Sequence, residues 1–430
     1  MDKVDGSIRR REPSGEPKGD AERTFHRSLA LVFLLALVVR MLFVWIQGSF
    51  HIFDIYFVAS DSRLYEALAH SLLSGAGYAR AGQPTALVTP AYPLFLAALH
   101  WLGIESPLGV GFVQSIIGAA TCVLIAMLGR HLGGDQVAVV AGILSACYVH
   151  LIFWTGYVLT DTLFVFFLVA SLVALLRWQD NLDSHLRAGF AGVLLGIGTL
   201  TRPHLAGFAI LAGLWTIVIA GRRRRAAVHS GLFLLLGLTM VLAPWTLRNY
   251  RVLGVPIVGS TLGGEVLYQG NSIGATGGTG GYLDARDFRP LELPSGLTEI
   301  EVDRAYSHAA WQFMLDNPED LPELALRKFV NMWRPTYEGS SVCNLWIFGG
   351  SYLFVVAFSL LGIARRWKNG LGQSEGLLLL CVAFLLILHL IIPGMIRYRL
   401  PAEPLLIVFA AAALQPLGEL TGWTLTRHKT

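Results

Sequence analysis

The chain has 430 residues, 54% hydrophobic and 14% charged, with a formal net charge of +4 and a mean hydropathy of +0.56. Soluble domains carry roughly 25% charged residues, so most of this chain must be solvated by lipid. The small net charge excludes nucleic acid as a partner, and the four cysteines (Cys122, Cys147, Cys343, Cys381) lack the CxxC spacing of a thiolate metal site or redox motif.

In chain order, residues 1–27 mix charge with Pro and Gly and are expected to be a disordered cytoplasmic N-terminus. No small-residue cleavage site follows the first apolar run, so span 28–48 reads as a retained anchor. A crossing helix needs about 20 apolar residues. Further spans are expected at 109–129, 136–153, 157–177, 187–201, 204–221, 228–246, 346–364, 375–393 and 401–417. The expected fold is therefore an all-α polytopic membrane protein with about 10 transmembrane helices. Its N-terminal module, 28–246, includes an outer loop at 49–108 that bears amphipathic helices. An extracytoplasmic segment, 247–345, would form a small mixed soluble cap, followed by a C-terminal module at 346–417 and a cytoplasmic tail at 418–430.

Charge supports this topology. Basic clusters stand at Arg9–Arg11, Arg130–His131, Arg222–Arg225, Arg365–Lys368 and Arg427–Lys429, and all fall inside if the N-terminus is cytoplasmic. The run 90–103 is apolar but short and proline-punctuated. Counting it as a span would put the later clusters outside, so it is expected to lie in the interface.

The first outer loop contains VASDSRLYEALAHSLLSGAGY, where Leu64, Leu68 and Leu72 mark an amphipathic helix. Ser60 is its expected N-cap, and Gly75 and Gly77 end it. Asp61 then lies in the first turn, where the helix dipole favours an ionised carboxylate. Such a group can accept a hydroxyl proton or hold a divalent cation, although acidic first turns are common without either role. Asp161 is the only acid of the span at 157–177 before its inner end, and it is expected near the outer face. An ionisable residue against a long apolar run is costly, so function and a plain helix start at Thr160–Asp161 are the two readings.

Arginines follow at the same face: Arg202 in TLTRPHLAG, Arg248 in PWTLRNYRVLG, and Arg397 and Arg399 in RYRLPAEP. A planar fork of five donors suits phosphate oxygens, and snorkelling to headgroups is the alternative. Arg40, inside the first span, could pair with an outer carboxylate or snorkel. The run GNSIGATGGTGG lacks the GK[ST] of a phosphate loop. His51, His100 and His204 form no HExxH or close ligand pair, which argues against zinc on spacing alone.

Taken in order, DSRLYEALAHSLLSGAGY, TPAYPLFLAALHWLG, TDTLF, LTRP, PWTLRNYRVLG, VLYQGNS and RYRLPAEP resemble the GT-C membrane glycosyltransferases. The likeness is to the branch of protein O-mannosyltransferases, lipid A aminoarabinose transferases and related bacterial enzymes, over about 28–417. The resemblance implies a polyprenyl-phosphate-linked sugar donor and a lipid, glycan or protein acceptor. It implies a hexosyl- or pentosyltransferase of the bacterial inner membrane, with both termini cytoplasmic and the active site extracytoplasmic. Asp61 matches the first-loop acid and proposed general base, and Asp161 the second acid. Arg397 or Arg399 matches the arginine that holds the lipid phosphate, and Arg202 and Arg248 complete the expected donor-binding set. Tyr65, Tyr268 and Asn271 are expected on the substrate side. No particular cofactor is implied, and a divalent cation, if one binds, would use Asp61.

Two departures separate this chain from the named activities. Asp61-Ser62 stands where the protein mannosyltransferases have an acidic pair, and Val88-Thr89 where the aminoarabinose transferases have an acidic-basic pair. Two alternatives to transfer from a lipid monophosphate remain: a lipid or polysaccharide transporter without chemistry, and a polysaccharide ligase with a lipid-diphosphate donor.

Overall fold

The computed structural model describes residues 18–50, 59–278, 290–336 and 340–420. The basic clusters Arg9–Arg11 and Arg427–Lys429, residue His51, and most of the expected disordered N-terminus lie outside them.

Helix α1 (Lys18–Phe50) contains the first span. Leu31, Val38 and Leu42 face outward while Val32, Ala36 and Val44 are buried. Arg40, buried in its middle, donates to the backbone oxygens of Ala36, Ser145 and Ala146, each at 3.2 Å. It therefore neither snorkels nor bonds a carboxylate, but satisfies carbonyls near a helix end.

The outer loop begins with α2 (Ala59–Leu73). Ser60 falls inside this helix rather than capping it, because the helix starts a residue earlier. Asp61 stays in the first turn, and Gly75 and Gly77, with φ of 79° and 75°, end the helix in the left-handed region as expected. A small hairpin follows, β1 (Ala79–Arg80) against β2 (Gln83–Pro84). Ala81 and Gly82 both have positive φ, the requirement of a two-residue turn between right-twisted strands. Helix α3 (Ala91–Trp101) spans only about 16 Å at 1.5 Å per residue. It buries Tyr92 and Leu96 and exposes Leu94 and Trp101, as an interfacial helix should.

Helix α4 (Pro107–Cys147) is 41 residues long but not straight. Gly134 has φ 74° and ψ −165°, a conformation open essentially to glycine alone. A side chain at Gly129 would meet the backbone of Val137 and Ala138, and one at Gly142 would meet Ala126. In a straight helix residues 129 and 138 would stand about 13 Å apart. The chain thus reverses at Gly133–Gly134, and the two limbs correspond to the spans expected at 109–129 and 136–153. The end of the second separates as α5 (Val149–Phe153) and a tight turn at Trp154–Gly156.

Helix α6 (Asp161–Asp180) starts later than the expected 157, because Tyr157 adopts an extended backbone. Then come α7 (His185–Thr201), α8 (Leu205–Ile219) and α9 (Arg224–Leu253). Gly192 packs on the Leu234 backbone and Gly237 on the Gly189 backbone, so α7 and α9 approach closely. The segment after α9 carries α10 (Gly263–Gly270), α11 (Glu299–Asp316), α12 (Leu321–Trp333) and α13 (Val342–Asn344). Thr298 and Glu301 form a reciprocal cap on α11, and the chain breaks between α11 and α12 at Asn317-Pro318. Among the described residues this segment holds helices and no strand, and the strand pair belongs to the first loop.

The chain ends in α14 (Gly350–Lys368), α15 (Gln373–Ile391), α16 (Ile396–Arg399) and α17 (Glu403–Leu420). Six helices among the described residues are long and apolar enough to cross a membrane: those that contain α1, α4, α6, α9, α14 and α15. Two shorter apolar helices cover Leu205–Ile219 and Glu403–Gln415. One pole of the bundle is laced by basic residues. Arg130 bonds Glu22 and Asp135, Arg223 bonds Asp183, and Arg366 bonds Glu375 and the Leu132 carbonyl. At the other pole the first loop is tied to the approach to α6 through Ser62 and the Val158 carbonyl, to the end of α7 through Thr89 and the Thr201 carbonyl, and to α16 through Asp61 and Arg397.

Candidate active site

Four chain segments bring charge to that second pole. Asp161 is the first residue of α6, and its side chain is 1% exposed. Arg202 is the C-cap of α7, where Pro203 stops the helix. Arg397 sits in α16, a single turn between Gly394 and Pro401. Asp61 enters from α2, and the Ser62 hydroxyl ties that turn down by donating to the Val158 carbonyl at 2.9 Å.

These groups form one network. Asp161 Oδ1 accepts from Arg202 Nη2 at 2.6 Å, and its Oδ2 accepts from Arg397 Nε at 2.8 Å. Arg397 Nη2 also lies 2.7 Å from the same Asp161 Oδ2, so two nitrogens of one guanidinium converge on a single carboxylate oxygen while Arg202 takes the other. Arg397 Nη1 reaches Asp61 Oδ2 at 3.2 Å, the longest of these contacts. Arg202 Nε donates to Thr160 Oγ1 at 3.4 Å. The Arg397 guanidinium lies 5.6 Å from the Trp154 ring centroid, and that of Arg202 lies 5.2 Å from Phe164, which adds cation–π attraction.

Exposure sorts the four. Asp61 is 39% exposed and Arg202 12%, whereas Arg397 is at 9% and Asp161 at 1%. Asp161 is an inner anchor and Asp61 the carboxylate open to an incoming molecule. Burial alone would lower the Arg397 guanidinium pKa, but Asp161 and then Asp61 raise it well above the usual arginine value. A buried charge survives only when paired, and here each carboxylate has its guanidinium. Arg397 fills the place between the two carboxylates that a bridging divalent ion would need. In this arrangement the positive charge beside Asp61 comes from the chain's own arginine.

Other expected residues stand elsewhere. Arg248 donates to the Tyr78 carbonyl at 2.5 Å and the Thr85 carbonyl at 2.6 Å, bracing the first-loop hairpin. Arg399 is fully buried, bonds Glu403 at 2.7 Å, and donates to the Met332 and Arg334 carbonyls after lying 3.5 Å over the Tyr352 ring. Tyr65 is buried edge-on against Tyr92 at 5.1 Å, and burial followed by Asp61 raises its phenol pKa. Tyr268 packs on Tyr306 at 5.3 Å. Asn271 donates to the Leu267 and Ile391 carbonyls at 2.8 Å and accepts from Lys328. Lys328, with no sequence signal beyond an amphipathic helix, is buried and also donates to the Ile391 carbonyl at 2.8 Å. Burial lowers its ammonium pKa to about 8. It pins α12 to the end of α15, next to the turn that carries Arg397.

The dolichyl-phosphate-mannose-protein mannosyltransferase family matches residues 85–247. No curated protein matches the chain. Among solved structures, the archaeal oligosaccharyltransferase AglB from Archaeoglobus fulgidus, in complex with an inhibitory peptide and a dolichol-phosphate, is similar in fold. Its TM-score is 0.58 at 14% identity, over 95% of this chain and 53% of that one. The apo form of the Archaeoglobus fulgidus oligosaccharyltransferase gives 0.57 at 14% identity, over 94% and 52%. The chain therefore spans about half the length of these structures, and the likeness establishes a GT-C fold.

Proposed function

We propose that this chain, a membrane protein of the GT-C glycosyltransferase type, moves a sugar from a polyprenyl-phosphate donor to a hydroxyl of a lipid, glycan or protein acceptor outside the cytoplasm. The observation that carries the reading is the convergence of Asp61, Asp161, Arg202 and Arg397 from four distant segments. The dolichol-phosphate held by the similar archaeal structure supports a lipid-phosphate donor.

The acceptor hydroxyl attacks the anomeric carbon from the face opposite the lipid phosphate, so configuration inverts. The carbon–oxygen bond to the phosphate breaks, the phosphate keeps the electron pair, and Asp61 takes the hydroxyl proton. Arg202 and Arg397 meet the charge that grows on the leaving phosphate, with Asp161 fixing both guanidinium groups in advance. The Asp61–Arg397 contact is the longest carboxylate–guanidinium contact of the network and the one a phosphate can replace. Donor binding then frees Asp61 to act as a base at the moment the acceptor is needed. The enzyme would sit in the bacterial inner membrane with this pole outward.

The test supplies reconstituted protein with polyprenyl-monophosphate sugar and polyprenyl-diphosphate sugar in parallel, with an acceptor extract. Transfer from the monophosphate supports the reading. Transfer from the diphosphate alone makes the protein a ligase of the other donor class. Movement of labelled lipid-sugar across the vesicle with no product makes it a transporter.

A further inference from the structure

A second set of convergent donors lies on α2 and α3, away from the Asp61–Arg397 network. Glu66 and His70 are four residues apart on α2, so one helical turn places them on a common face. His100 comes from the last turn of α3, 30 residues further along, which is why spacing did not reveal it. A Glu66 oxygen and one ring nitrogen from each histidine all lie within 4.8 Å of one another. Glu66 Oε2 is 3.2 Å from His100 Nε2, and the two imidazole centroids are 5.1 Å apart.

His100 supplies an independent pointer. Its side chain is 1% exposed, yet neither ring nitrogen makes an aligned hydrogen bond. Burying an unsatisfied imidazole is costly unless something else takes the lone pair. Two imidazoles and one carboxylate form a donor set suited to zinc-class ions, which take three protein ligands and one water in a tetrahedron.

We propose that Glu66, His70 and His100 bind a divalent transition-metal ion of the zinc class that fastens α2 to the interfacial helix α3. Tetrahedral bonds of about 2.0–2.1 Å put ligand atoms about 3.3 Å apart. The exposed His70 side chain closes the remaining gap by a rotamer change, while His100 is already fixed by burial. The ion touches no reacting atom. It positions α2, whose first turn carries Asp61 and whose Tyr65 packs on Tyr92 of α3. His70 and His100 meet only through the fold, which spacing along the chain does not show.

The full chain, purified without a polyhistidine tag, is stripped with EDTA, equilibrated with Zn²⁺ and dialysed; bound metal and thermal unfolding are then measured. About one equivalent of zinc in the wild type, loss of that equivalent in His70→Ala and His100→Ala, and a zinc-dependent rise in Tm absent from both variants are expected. His70 is exposed, so His70→Ala keeps the fold and separates lost binding from misfolding. Equal zinc in wild type and His70→Ala overturns the proposal, as does no retained zinc in the wild type. Loss of zinc in Asp61→Asn with retention in His100→Ala overturns it as well, by moving the ion to the first turn of α2. None of these readings depends on sugar transfer.

Discussion

Arg397 bonds two carboxylates at once, and lysine cannot reproduce that fork. Arg397→Lys is expected to lower transfer by about 10²–10³, the usual effect of losing one preorganised donor. Arg202→Gln should weaken donor use in the same assay, visible as a raised KM for the lipid. Arg248 and Arg399 make a contrasting pair outside the Asp161 network, since Arg248 serves backbone carbonyls and Arg399 serves Glu403 together with the Met332 and Arg334 carbonyls. Arg248→Gln should lower Tm in detergent more than it changes the KM for the donor. Sequence singled out all four arginines for one reason, that a guanidinium fork near the outer face needs a partner and suits phosphate oxygens. It could not say whether that partner is a carboxylate or a carbonyl, which is a property of segments far apart in the chain. Lys328 escaped notice because its acceptors, Asn271 and the end of α15, lie 57 and 63 residues away. Lys328→Met leaves those oxygens without their donor and should cost about 1–3 kcal/mol, read as a lower Tm.

At the level of elements, most helices were legible because apolar runs of sufficient length have few alternatives in lipid. The reversal inside α4 was legible as a gap between two expected spans, and its cause is the Gly133-Gly134 pair. Gly134→Val forces a branched residue into a conformation open to glycine and should destabilise the hairpin by about 1–3 kcal/mol. The check is the fraction of monodisperse protein recovered in detergent, with Gly213→Ala, an open helical position, as the neutral control. The late start of α6 was less legible, since Tyr157–Thr160 is as apolar as the helix it precedes. The tie from Ser62 to Val158 and the turn at Trp154–Gly156 keep that segment out of the helix, which puts Asp161 in the first turn beside Arg202.

The whole molecule separates two poles, one of basic pairs at Arg130, Arg223 and Arg366, the other the Asp–Arg network. If the first is cytoplasmic, Cys343 in α13 lies outside, and its side chain is exposed. A membrane-impermeant maleimide should label Cys343 in intact cells in a Cys147→Ser background, with the signal lost in Cys343→Ser. Labelling only after permeabilisation would reverse the topology. Sequence could anticipate the sidedness from charge parity alone. It could not anticipate that α12 would be pinned onto α15 by Lys328, because that contact depends on the folded path of the outer segment.

The most direct measurement is sugar transfer by Asp61→Asn protein in proteoliposomes, with binding of the lipid-phosphate donor followed in the same samples. Retained donor binding with transfer reduced by about 10²–10⁴ is the expected result, because the carboxamide keeps the shape and loses the base. Transfer at the wild-type rate would contradict the assignment of Asp61 as the proton acceptor.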